Sequence, residues 1–194
     1  MVELKHKGIK IKIKEDVHPM NPRTEFDNLG TVVINHRRLE LSDKTINPID
    51  RADLDSTRDV IVPIYLFEHG GITIKTHPIA MSVCREPHGY IHVTEEMIKA
   101  EYNSDTLTNE IREKAYQVLE GEIKEYNSYL NGEVYQYEVE GEICGGFYDL
   151  KEARLAAEEV VDYIVSERRK KHYKKLKALI KAGVNIIYRE TLSI

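Results

Sequence analysis

Isoleucine occupies every second position through Gly8–Lys14 with lysine between, so Ile9, Ile11 and Ile13 share one face of an extended segment. That alternation predicts a half-buried strand whose lysine face would guard a sheet edge. A stretch holding Pro19, Pro22 and the turn sequence Asp27-Asn28-Leu29-Gly30 separates it from a second strand over Thr31–His36, and a polar loop follows from Arg37 to Asp59. The apolar run from Val60 to Phe67, the pair Gly70-Gly71 and the segment Ile72–Lys75 predict a hairpin closed by a two-residue turn. Such a run suits a central strand covered on both faces, and Pro63, lacking an N–H, must sit at an end, a bulge or an edge. Gly89–Val93 reads as a further short strand leading into a short helix capped by Thr94.

The apolar period then changes. Ile111, Ala115, Val118, Leu119, Ile123, Tyr126 and Leu130 recur at spacings of three and four, which predicts a helix over Thr108–Leu130 ended by Asn131-Gly132. A second hairpin follows, in which Gly145 and Gly146 mark a bulge or a close backbone approach. Asp149 caps a final helix running to Ala182, with Gly183 as its stop, and Val184–Tyr188 could return as a strand. These elements predict an α+β fold with a mainly antiparallel sheet of five to seven strands and two long amphipathic helices. At 194 residues the chain suits one domain, residues 1–194, with residues 150–183 as a long basic C-terminal helix.

Charge is strongly segregated. Residues 101–150 hold 12 acidic and 3 basic side chains, whereas residues 151–194 hold 11 basic and 6 acidic. A surface of one sign steers charged partners toward it and repels like-charged ones. The net charge of −5 argues against wholesale nucleic-acid binding, and only the C-terminal helix offers an electropositive face. With 12 Tyr, 3 Phe and no Trp, the aromatic content favours a wet contact surface over a deep apolar pocket. No apolar run reaches membrane-spanning length, and the N-terminal residues lack a signal-peptide core. The expected location is therefore the cytoplasm, where Cys84 and Cys144 would be buried, reduced and inert.

Four groups of residues could carry chemistry. Glu110, Glu113, Glu120, Glu122 and Glu125, continued by Glu138 and Glu140, form an acidic row that could imitate phosphates or bind a basic partner; the plainer reading is a solvated helix face. His36-Arg37-Arg38 could hold a phosphate or carboxylate, or simply tie its loop to nearby acids. If Gly89–Val93 paired beside Ile72–Lys75, His77, Cys84 and His88 would converge as three ligands of a zinc site, with Glu86 as a candidate fourth. Finally, Arg168, Arg169, Lys170, Lys171, Lys174 and Lys175 on the C-terminal helix could contact RNA or an acidic partner, although positive charge there also complements the helix dipole. The faltering apolar stripe at Arg168-Arg169 suggests a bend or packing against a second copy in a homodimer. Nucleotide-binding loops, Gly-x-Ser-x-Gly and His-Glu-x-x-His are missing from the sequence, which weakens the enzyme reading without excluding it.

The phrases Asp27-Asn28-Leu29-Gly30, His36-Arg37-Arg38, Tyr65 to Ile74, Gly89 to Val93, Tyr126 to Tyr135 and Gly146-Phe147-Tyr148 together resemble a family of small proteins of bacteriophages and mobile elements. The resemblance covers most of the chain and implies a phage or prophage setting within the host cell. Accessory proteins of that setting, size and acidity often bind and disable a host system, including nucleic-acid-guided defence nucleases, in the manner of anti-CRISPR proteins. The leading expectation is thus a noncatalytic inhibitor whose acidic surface binds a basic, nucleic-acid-handling host protein. A zinc-binding protein or metal-dependent enzyme, and a small RNA-binding module, are the alternatives.

Overall fold

The computed structural model describes residues 1–43, 53–79 and 86–183. Its strands are β1 (Val2–His6), β2 (Ile9–Glu15), β3 (Thr31–Ile34), β4 (Val60–Glu68), β5 (Ile72–Lys75), β6 (Gly89–Val93), β7 (Tyr135–Val139) and β8 (Glu142–Phe147). Its helices are α1 (Pro22–Glu25), α2 (Glu95–Glu101), α3 (Asn109–Leu130) and α4 (Leu150–Lys181). The fold is α+β, and both of its four-stranded sheets are antiparallel. The expected single sheet of five to seven strands is corrected to these two. The chain divides into two compact units, one made of Met1–Asp16 with Tyr135–Ile194 and the other of Val17–Val134.

In the first unit the strand order is β1-β2-β7-β8. Lys7 and Gly8 both take positive φ, 46° and 86°, so the chain reverses in two residues and β1 pairs with β2. Glu140 and Gly141 do the same between β7 and β8. Ile11 and Ile13 face inward as the alternation requires, and they meet Ala153, Ala157 and Val161 of α4. Alanines spaced four apart let the helix backbone lie close to the sheet. The lysine strand is not an edge: β2 lies between β1 and β7, and its lysines pair across the ladders, Lys12 with Glu138 at 2.7 Å and Lys10 with Glu3 at 2.8 Å. The register slips between Tyr135 and Tyr137, where Gly145 and Gly146 together oppose Gln136. A Cβ at Gly145 would lie 2.2 Å from the Asp16 carboxylate, which accepts the Gly146 N–H at 2.9 Å.

In the second unit the order is β3-β6-β4-β5, with α3 packed on one face. Val32, Val62, Ile64, Ile74, Ile91 and Val93 form the sheet side of the core, and Ala115, Leu119, Ile123 and Tyr126 form the helix side. The β4–β5 loop holds three residues rather than two, because Glu68 pairs with Ile72, and Gly70 supplies the positive φ of 71°. β4 is interior, yet Pro63 fits: Ile64 turns its carbonyl to β6, accepting from His88, so Pro63 faces the β5 side, where pairing begins only at Tyr65. The free edge of β5 is closed by α3, since Asn127 accepts from the Ile74 N–H at 2.9 Å and Asn131 donates to the Ile72 carbonyl at 2.9 Å. Among the described residues no helix is long and apolar enough to cross a membrane.

Candidate functional site

Arg23 organises the site from below. Asn21 caps α1 by accepting from the Arg23 N–H, Pro22 opens the helix, and the Arg23 side chain turns inward until only 4% of it is exposed. Its five N–H groups are all taken: two by Asp43, one each by Glu122, Asn28 and the Gly30 carbonyl. Burial opposes the charge, but Asp43 and Glu122 outweigh it and hold the guanidinium pKa above its ordinary value. Glu122 also accepts from the N–H groups of Leu29 and Gly30 at 2.8 and 3.2 Å, and Asp43 from that of Val32 at 2.8 Å. The network therefore pins the turn at residues 26–30 against α3.

That pinned turn is one wall of a cleft of about 610 Å³. α2 and its C-cap supply a second wall with Met97, Ala100, Glu101 and Tyr102, and α3 supplies Val118, Glu122 and Glu125, spaced four and three apart on one helix face. Phe26, Met97 and Val118 remain 38–42% exposed. Three carboxylates, of Asp27, Glu101 and Glu125, line the same space beside Glu122, whose charge Arg23 already neutralises, and no Lys, Arg or His is among the described residues that line it. An apolar floor with an anionic rim suits a cationic, partly apolar ligand.

The acidic row of the sequence is dispersed by the structure. Glu122 is part of the Arg23 network, while Glu125 lines the cleft. Glu110 pairs with Lys114 at 2.8 Å, and that hydrogen bond and charge lower its pKa. Glu113 accepts from Gln117 at 3.4 Å, and Glu120 from Thr76 and Tyr116 at 3.0 and 3.2 Å. Glu138 and Glu140 belong to the first unit, paired with Lys12 and, through two hydrogen bonds, with Arg168. Phe26, Met97 and Tyr102 escaped the sequence reading, and Asp27 entered it only as part of a turn; the visible signals were the turn sequence beside Phe26 and the Thr94-capped helix.

The other groups are placed as follows. His36 accepts from the N–H groups of Arg38 and Leu39 at 3.3 and 3.1 Å, Arg38 bridges to Glu68, and Arg37 is exposed. The premise of the zinc arrangement is corrected, because β4 lies between β5 and β6, which therefore do not pair. His88 instead accepts from the Leu66 N–H at 3.4 Å, and Cys84 lies outside the described residues, as does Val184–Tyr188. Among the described residues no three His, Cys, Asp or Glu side chains are grouped to hold a metal ion. Cys144, expected to be buried, is exposed on β8 because that strand is an edge. α4 runs unbroken through Arg168-Arg169. His92, which no sequence pattern singled out, is buried with neither ring nitrogen hydrogen-bonded among the described residues. Its burial lowers its pKa, against the opposing charges of Asp59 and Asp43.

No protein-family model, curated protein or solved structure matches the chain.

Proposed function

We propose that this is a noncatalytic binding protein that holds a positively charged macromolecule through the acid-rimmed cleft of its second unit. One observation carries the reading: apolar side chains on three elements converge beside the carboxylates of Asp27, Glu101 and Glu125, with no cation among the described lining residues. Apolar contact supplies affinity there, while the carboxylates speed encounter with basic partners and reject acidic ones. The partner of matching chemistry is a basic, nucleic-acid-handling host protein that presents an amphipathic helix or loop. The phage setting implied by the sequence resemblance makes a nucleic-acid-guided defence nuclease the first such candidate, and its inhibition the outcome of binding.

The test is the affinity of the full chain for a labelled amphipathic leucine-lysine peptide, read by fluorescence anisotropy at low and high salt. Binding should weaken as salt rises and fall by at least about tenfold when Glu101→Lys and Glu125→Lys are combined, since both lie at the exposed rim. Equal affinity for the variant at low salt refutes the cleft as the binding surface.

A further inference from the structure

The distal half of α4 is basic and amphipathic, the chemistry that the proposed cleft would accept. From Arg168 to Lys181 the helix carries eight basic residues and no acidic one. All of the buried residues of α4, Ala153, Ala157 and Val161, precede this stretch. At about 1.5 Å per residue it presents roughly 20 Å of helix. Tyr173, Leu176 and Ile180 recur at spacings of three and four, so they share one stripe; Tyr173 is 70% and Ile180 56% exposed. Lysines stand four apart at 171 and 175 and at 177 and 181, an arrangement of like charges that opposes the helix unless carboxylates come alongside, whereas Lys170 already pairs with Glu167 at 2.8 Å.

We infer that this basic amphipathic stretch of one copy docks in the acid-rimmed cleft of a second copy, so that the protein associates with itself through its two oppositely charged parts. The inference rests on the cleft reading above and names one occupant of that cleft. Charge complementarity favours a second copy over a nucleic acid. The stretch carries +8, and removing it from the count leaves 20 basic and 33 acidic residues elsewhere in the chain. A polyanion approaching the helix would meet the field of those excess carboxylates, whereas a second copy offers its carboxylates to the helix. Tyr173, Leu176 and Ile180 would meet the apolar side chains of the cleft, including Phe26, Met97 and Val118, in a helix-in-groove contact. Because donor and acceptor surfaces differ, the contact is heterologous, and occupied clefts are closed to other partners until the helix leaves.

Sedimentation equilibrium of the full chain over a wide concentration range, at low and high salt, tests this. The expected result is self-association that weakens with salt. The cleft variant, Glu101→Lys with Glu125→Lys, and the helix variant, Lys170→Glu, Lys171→Glu, Lys174→Glu and Lys175→Glu, should each raise the dissociation constant at least about tenfold. Mixed together they should associate with each other, because one retains the helix and the other the cleft. A wild-type chain that stays monomeric, or a mixture no more associated than its components, overturns the inference. If the leucine-lysine peptide still binds the monomeric chain, the cleft reading survives and only the second copy is refuted. Salt-sensitive RNA binding by a wild-type monomer, lost in the helix variant, would assign the helix to nucleic acid instead.

Discussion

Replacing Arg23 with methionine keeps most of the aliphatic stem and removes the positive charge that Asp43 and Glu122 share. Those carboxylates are only 13% and 10% exposed, so water reaches them poorly once the guanidinium is gone. Taking one partner out of a buried ion pair costs about 3–5 kcal/mol, a large part of the roughly 5–15 kcal/mol that stabilises a typical domain. With a urea dependence of about 1–3 kcal/mol per molar, the unfolding midpoint should fall by roughly 2 M. Urea titration followed by circular dichroism reads this directly. Adding Asp43→Asn and Glu122→Gln to Arg23→Met should recover a substantial part of the loss, because no lone charge is then buried. An Arg23→Met chain within about 1 kcal/mol of wild type, or a triple variant less stable than the single one, would refute the reasoning.

Three further outcomes are expected. His92 has its pKa lowered by burial, so the folded chain binds its proton less readily than the unfolded chain, whose histidine titrates near 6.5; stability should be complete above about pH 6.5 and decline as pH falls below it, and His92→Leu should flatten that slope in pH-dependent urea midpoints. Tyr126 is pushed up to about 12, first by burial and then by Asp43, so the unfolded phenol ionises first; stability should decline as pH rises from about 10 toward 12, and Tyr126→Phe should remove that loss while forfeiting the 3.3 Å hydrogen bond to Leu41. Gly145→Ala forces a methyl to within 2.2 Å of the Asp16 carboxylate and should lower the thermal midpoint of the first unit, with Asp16→Gly restoring part of it in calorimetry.

Much of the local structure was legible because it follows from short-range rules. The alternation at Ile9–Ile13, the caps Thr94 and Asp149, and the bulge at Gly145-Gly146 are each written in a few adjacent residues. The division into two sheets was not, because β2 and β7 pair across more than a hundred residues, Ile13 opposite Tyr137, and no local pattern states which strands meet. The same limit applies to the site. Val118 fits the apolar stripe of α3 by spacing, yet it opens into the cleft, and Glu122 fits the acidic face, yet it is enclosed with Arg23. Arg23 itself stood in no motif; its partners at residues 28, 30, 43 and 122 meet only in the folded chain.

Methionine-methyl NMR offers the most direct test of the cleft, because Met97 lines it while Met1 and Met20 do not. With 13C-methyl methionine in the full chain and the leucine-lysine peptide as titrant, the account requires the Met97 resonance to shift saturably while those of Met1 and Met20 stay in place. Peptide binding that leaves Met97 unmoved would contradict it.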